Sequence, residues 1–196
     1  MVDGRRSANK EKDMIYPIYI YGSGVLRKEC EEIGPDYPEL GKLIEDMYAT
    51  MYASDGVGLA APQIGKDIRL FVVDASGFAD IDPTAKDFKK VFINPEIVEE
   101  SDVEVLLNEG CLSVPGIHED VYRPETIRIN YLDENFEEHE EELTGWPARV
   151  VQHEYDHLDG FVFTDRLSSL RKTLLRNKLT AMAKGKYSAA YRTKQK

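Results

Sequence analysis

Cysteine is scarce: Cys30 and Cys111 are the two in 196 residues. That is too few for a disulfide framework and more natural for a cytosolic protein that uses a thiol as a metal ligand or catalytic group. No apolar run approaches the ~20 residues of a membrane span, so no membrane association is expected. The first 13 residues are polar and charged and lack the apolar centre of a signal peptide. Positive charge is in the minority, 25 Lys and Arg against 36 Asp and Glu, for a net charge of −11. This balance argues against general nucleic-acid binding, and DNA is not an expected partner. No internal repeat breaks the chain into modules. A cytoplasmic location is the expectation.

What is present fits one globular domain with a real core: 42% hydrophobic and 31% charged residues. Residues 1–13 read as an added extension or a disordered arm ahead of a second start at Met14. Residues 14–185 read as a single domain, and residues 186–196 as a basic tail. From Arg166 onward the chain carries basic residues and no carboxylate. A solvated helix face with a frayed tail accounts for that bias, and contact with an anionic partner such as ribosomal RNA is the functional alternative.

Hydrophobic spacing sets the expected elements. Leu40, Leu43, Ile44, Met47, Tyr48 and Met51 recur at three- and four-residue intervals, predicting an amphipathic helix over 38–53 with Pro38 near its first turn. Residues 69–75 and 91–98 are β-branched and apolar and predict strands, with a polar loop over 76–90 between them. Residues 103–108, 127–132 and 137–143 are further strand candidates, the last an acidic, solvated edge. Gly56 to Gln63 reads as a loop of small residues. A helix opens at Gly145-Trp146-Pro147, with Thr144 as a possible cap, and Gly160 closes it. A final helix spans 167–183. Central strands with flanking helices predict an α+β fold.

His153-Glu154-Tyr155-Asp156-His157 reads H-E-x-x-H. On a helix, residues four apart stack on one face about 6 Å apart, so two imidazoles can bind one metal ion while the glutamate handles protons for a metal-bound water. An exposed charged helix is the bland alternative. The apolar run Ala148, Val150, Val151 weakens it, because a buried pair of histidines wants a polar partner. Cys111, in Glu109-Gly110-Cys111-Leu112-Ser113, would complete a Cys-His-His set with an open fourth position, the layout of a catalytic site. An inert buried cysteine is the competing reading there, and the one that Cys30 keeps. In Gly56-Val57-Gly58-Leu59-Ala60-Ala61-Pro62-Gln63 the small residues permit close backbone approach, and no Gly-Lys-Ser/Thr ending supports a nucleotide loop. Gln63 is either an amide donor or a surface residue in a turn.

G-V-G-L-A-A-P-Q, E-G-C-L-S and Q-H-E-Y-D-H, in this order and spacing, closely resemble the three signature motifs of peptide deformylases. The resemblance extends to Leu26-Arg27-Lys28, Ile93-Asn94-Pro95 and Asp156 to Gly160 and covers roughly residues 15 to 185. It implies antiparallel and mixed sheets wrapped around a central helix carrying H-E-x-x-H, plus an N-terminal and a C-terminal helix. It implies that Cys111, His153 and His157 hold Fe2+, with Ni2+, Co2+ or Zn2+ able to substitute. Metal-bound water would attack the formyl carbon of N-formylmethionyl peptides and release formate. Glu154 would serve as general base and acid, and Gln63 and the Leu112 N–H would bind the oxyanion.

Further carry-overs concern substrate contact. Val57 and Gly58 would present backbone to the peptide, Glu109 and Gly110 would line the site with Glu109 paired to Arg123, and Trp146 and Val150 would form part of the methionine pocket. His118 stands where many relatives carry arginine, and Arg149 where many carry an apolar residue. The basic C-terminal helix is implied as a ribosome contact. Two other readings remain: a zinc metalloprotease-like peptidase, which would draw a third ligand from a downstream Glu or His where only Asp159 and Asp165 follow without a matching motif, and a non-catalytic metal-binding or ribosome-associated module.

Overall fold

A computed structural model describes residues 13–195; the expected extension over residues 1–13 lies outside it save for Asp13. In chain order the elements are β1 (Ile18–Tyr19), α1 (Leu40–Ala53), β2 (Gly58–Ala60), β3 (Leu70–Asp74), β4 (Lys89–Glu100), β5 (Glu104–Gly110), β6 (His118–Pro124), β7 (Thr126–Leu132), β8 (Glu138–Thr144), α2 (Gly145–Leu158), α3 (Ser169–Ala183) and β9 (Thr193–Lys194). The strands form a five-stranded antiparallel sheet ordered β2-β3-β4-β7-β8, a separate β5-β6 ribbon, and a parallel β1-β9 pair. This is the α+β architecture, with three α-helices among the described residues. Among the described residues no helix is long and apolar enough to cross a membrane.

Burial explains which strands were easy to read. β3 is apolar without alternation because both of its faces are covered: Leu70 and Val72 join the core that includes α1, while Phe71 and Val73 join the core beneath α2. β7 alternates, with Ile127, Ile129 and Tyr131 inward and Arg128 and Asn130 less buried. The acidic run lies on β8, an edge strand, where its charges disfavour pairing with another chain.

Two expectations need correction, and one strand went unread. Residues 56–63 are not all loop: Gly58–Ala60 is a short strand, fully buried and paired to β3 from Gly58↔Val73 to Ala60↔Phe71. Small residues mark it because α2 packs directly against it; a Cβ on Gly58 would lie 2.5 Å from Glu154 Oε1. Strand β6 gave no hydropathy signal because two of its inward residues, Glu119 and Arg123, are charged. The segment after α3 is not a free tail. Ile18 N–H donates to the Arg192 carbonyl (2.9 Å) and Ile20 N–H to that of Lys194 (3.1 Å), so the two ends of the described chain pair.

The expected first helix begins at Leu40, two residues beyond Pro38, behind Glu39 in the left-handed region (φ 53°). Helix α2 is almost wholly buried, as befits the element at the centre of the fold. Thr144 precedes it but makes no side-chain capping bond. The cap comes instead from Asp82, 64 residues away: Oδ2 accepts from Trp146 N–H at 2.7 Å, and Oδ1 accepts from Thr84 N–H at 2.9 Å. The loop over 76–90 is thus the N-terminal brace of the motif helix. Asp82→Ala is expected to cost about 1 kcal/mol, the usual worth of an N-terminal cap. In a chain of this size that lowers the thermal midpoint by about 2–4 °C. Calorimetry checks it, and an unchanged midpoint would remove the cap assignment.

Candidate active site

Helix periodicity places His153 and His157 one turn apart on α2, and β5 delivers Cys111 just past its last residue, Gly110. Cys111 Sγ lies 3.3 Å from His157 Nε2, and one ligand atom from each of Cys111, His153 and His157 falls within 4.8 Å of the others. With metal–sulfur bonds near 2.3 Å and metal–nitrogen bonds near 2.0–2.1 Å, tetrahedral ligands stand roughly 3.5 Å apart. The donor set therefore fits one small divalent ion with a further position open. His153 Nδ1 is 2.9 Å from Glu109 Oε2, which leaves its Nε2 for a metal. His157 Nδ1 is buried and has no partner among the described residues.

Glu109 sits at the centre of a buried ionic network. Its carboxylate accepts from Arg123 Nε (2.6 Å) and Nη2 (2.9 Å) and from Arg149 Nη1 (2.8 Å). Arg123, fully buried, also donates Nη1 to Asp156 Oδ2 at 2.8 Å, and Asp156 in turn accepts from Arg166. Burial alone would raise the Glu109 carboxyl; Arg123 and His153 outweigh it and hold Glu109 well below the usual carboxylate range. The Glu109–Arg123 pair was legible through the resemblance. Arg149, Asp156 and Arg166 were not, because nothing in their spacing announces a shared partner.

The site opens into a cleft of about 540 Å³. Val57, Gly58, Gln63, Glu109, Gly110, Cys111, Leu112, Trp146, Val150, His153 and Glu154, all expected at the site, line it, while His157 lies behind them, fully buried. Gln63 is oriented rather than loose. Its Oε1 accepts from Ala60 N–H at 2.9 Å, so its amide nitrogen points toward Ser113 Oγ (3.2 Å) and Cys111 Sγ (3.5 Å). His118 covers Gly110, where a Cβ would lie 2.5 Å from the imidazole. Phe78 stacks on Trp146 with ring centres 4.2 Å apart and walls the apolar end. It comes from the loop read as polar, so sequence reasoning missed it. Ser188, Ala189, Ala190 and Tyr191 also line the cleft, and nothing in the sequence pointed to them.

The titrating groups divide by environment. Burial pushes the Glu154 carboxyl up to about 7, against the lowering pull of the two histidines. Its Oε2 is buried with no partner among the described residues, as suits a group that exchanges protons. Burial would raise the Cys111 thiol as well, but His157 and His153 bring it down to about 5, toward the thiolate that a metal needs. The carboxylates that follow the motif are engaged elsewhere: Asp159 binds Arg69 at 2.8 Å, and Asp165 binds Arg27.

The chain is similar to known proteins over most of its length. The polypeptide deformylase family model matches residues 15–173. The peptide deformylase of Christiangramia forsetii is 50% identical over 186 residues, covering 91% of this chain and 95% of that protein. That of Flavobacterium psychrophilum is 50% identical over 188 residues, covering 92% and 97%. Among solved structures, a peptide deformylase from Legionella pneumophila superposes with a TM-score of 0.76 at 39% identity, covering 87% of this chain and 96% of that one. A Plasmodium falciparum peptide deformylase in complex with an inhibitor gives 0.75 at 36% identity, covering 85% and 99%. With the match spanning most of its length, the chain belongs to the peptide deformylase family.

Proposed function

We propose that this enzyme removes the N-formyl group from the initiator formyl-methionine of nascent polypeptides and releases formate. Cys111, His153 and His157 would hold its metal, and Glu154 would act as general base and acid. The observation that carries the reading is the convergence of those three ligand atoms at the floor of a cleft that Glu154 and Gln63 also line. A divalent ion in such a set supplies a Lewis acid and lowers the pKa of water toward about 7. The thiolate favours softer ions, consistent with Fe2+ and with Ni2+, Co2+ or Zn2+ as substitutes.

Each residue's task follows from its surroundings. Glu154, buried and titrating near neutrality, takes a proton from the attacking water and passes it to the departing amine. The Gln63 amide and the Leu112 N–H donate to the oxygen on which negative charge develops, a contribution of about 3–4 kcal/mol per donor in comparable sites. Trp146, Phe78 and Val150 form an apolar wall for an unbranched thioether side chain. Strand β2 ends its sheet, so Gly58 offers backbone at a free edge to an extended peptide, with Val57, whose carbonyl accepts from Asp74 N–H at 2.9 Å, lining the cleft beside it. Such a substrate places the enzyme in the cytoplasm. Lys172, Arg176 and Lys178 are exposed around α3, Lys172 and Arg176 on one face, and give the helix a positive surface suited to ribosomal RNA.

With formyl-Met-Ala-Ser as substrate, the metal-loaded enzyme should release formate, and Glu154→Ala should lower kcat by about 100-fold or more. Absence of turnover by the wild type would sink the function, and robust turnover by Glu154→Ala would sink the assigned role. Glu109→Gln weakens the acceptor behind His153 and is expected to loosen metal binding by about 10–100-fold in a chelator competition. Equal affinity would mean that Glu109 does not tune the site. Reversing charge at Lys172, Arg176 and Lys178 together should abolish salt-dependent co-sedimentation with ribosomes, and undiminished binding would remove that contact.

A further inference from the structure

The carbonyls of the Cys111–Ser113 turn are each tied down, and two of the three ties come from the two ends of the described chain. Cys111 O accepts from Val114 N–H at 2.9 Å, within the turn. Ser113 O accepts from Tyr21 N–H at 2.8 Å, next to β1. Leu112 O accepts from the Tyr191 hydroxyl at 2.7 Å, across 79 residues of sequence. Leu112 N–H, by contrast, meets no acceptor among the described residues and is left to serve the cleft.

The segment that carries Tyr191 is itself anchored along its length. Tyr187 Oη bonds Thr193 Oγ1 at 3.0 Å, and Arg192 Nη1 donates to the Ile15 carbonyl at 3.2 Å. Gln195 Nε2 donates to the carbonyls of Tyr21 (3.2 Å) and Ala183 (3.1 Å). The β1-β9 pairing completes the strap, which runs from the end of α3 along one wall of the cleft.

We infer that residues 186–195 are a built wall of the catalytic cleft and that Tyr191 is a positioning residue. Through the Leu112 carbonyl, Tyr191 fixes the turn whose N–H faces the developing oxyanion. This rests on the deformylase reading above and assigns a task to a segment whose composition marked it only as a basic tail. The physical reason is leverage. A turn bonded only within itself can rock, and a donor that must meet charge on the formyl oxygen works only when held within hydrogen-bond reach. A phenol two residues ahead of the paired strand β9 supplies that constraint, whereas a mobile tail could not.

The test is Tyr191→Phe in the full, metal-loaded chain, which keeps the ring and removes the hydroxyl. The expected result is a fall in kcat of about tenfold on formyl-Met-Ala-Ser, with KM, metal content and the Kd of the product Met-Ala-Ser within twofold of wild type, because the hydrogen bond at stake is one to the transition state. Gln195→Ala loosens the end of the strap at a distance from the turn and should lower kcat in the same direction. Two results overturn the inference: kcat within twofold of wild type in both variants, or a fall in kcat matched by equal losses in Met-Ala-Ser binding and metal content. Wild-type turnover is measured first, so failure of the deformylase reading is seen separately from failure of the strap.

Discussion

The Glu109 carboxylate, accepting at once from Arg123, Arg149 and His153, is the interaction on which the rest of the site depends. Its importance is mechanical before it is chemical. The β5-β6 ribbon that carries Cys111 has two strands and no hydrogen-bonded partner in the main sheet. An isolated two-stranded ribbon is marginal in water. This one is pinned from its inner face by charge: Glu119 pairs with Arg171 of α3 at 2.6 Å, Arg123 reaches Asp156 on α2, and Arg149 of α2 donates to the Val121 and Val105 carbonyls of the ribbon. Removing one member of a buried ionic group costs about 3–5 kcal/mol, because the partner is left charged and dry. The ribbon therefore has one seating, and that seating brings Cys111 to within reach of the two histidines.

The same burial explains the electrostatic division within the site. Glu109, ringed by cations, stays ionised and fixes the His153 ring. Glu154, next to His153 on the helix, makes no ion pair of that kind, and desolvation outweighs the lowering pull of His153, His157 and Arg123 to drive it up to about 7. Two carboxylates of similar intrinsic acidity thus sit in opposite environments, one held as a permanent acceptor and the other suited to the proton transfer proposed for it. Close packing protects the second role: Gly58 lies so near Glu154 that no side chain could be placed between them.

Legibility followed the range of the physics. The H-E-x-x-H pair could be read because helix periodicity alone brings its histidines to one face. β3, β7 and β8 could be read because a strand's two faces and its edge position leave a hydropathy pattern. β6 could not, since two of its inward positions are Glu119 and Arg123, and hydropathy cannot tell a buried ion pair from a solvated one. Strand β2 was hidden by its small residues, which record contact with α2 rather than strand propensity. Asp82 as the cap of α2 and Phe78 as a cleft wall lay in a stretch whose composition reads only as loop.

By itself the sequence determined the local geometry of the H-E-x-x-H helix, the main apolar strands and, through three motifs together, the family. Tertiary structure alone decided which further distant groups meet: that Glu109 serves Arg149 and His153 besides Arg123, that Asp82 caps α2, and that the segment after α3 returns to bond Leu112. The reason is physical. Periodicity and propensity act over a few residues and leave a mark in composition. Hydrogen bonds and ion pairs between segments dozens of residues apart depend on how the core seats those segments, and ordinary Asp, Arg and Tyr residues carry no sign of the partner they will find.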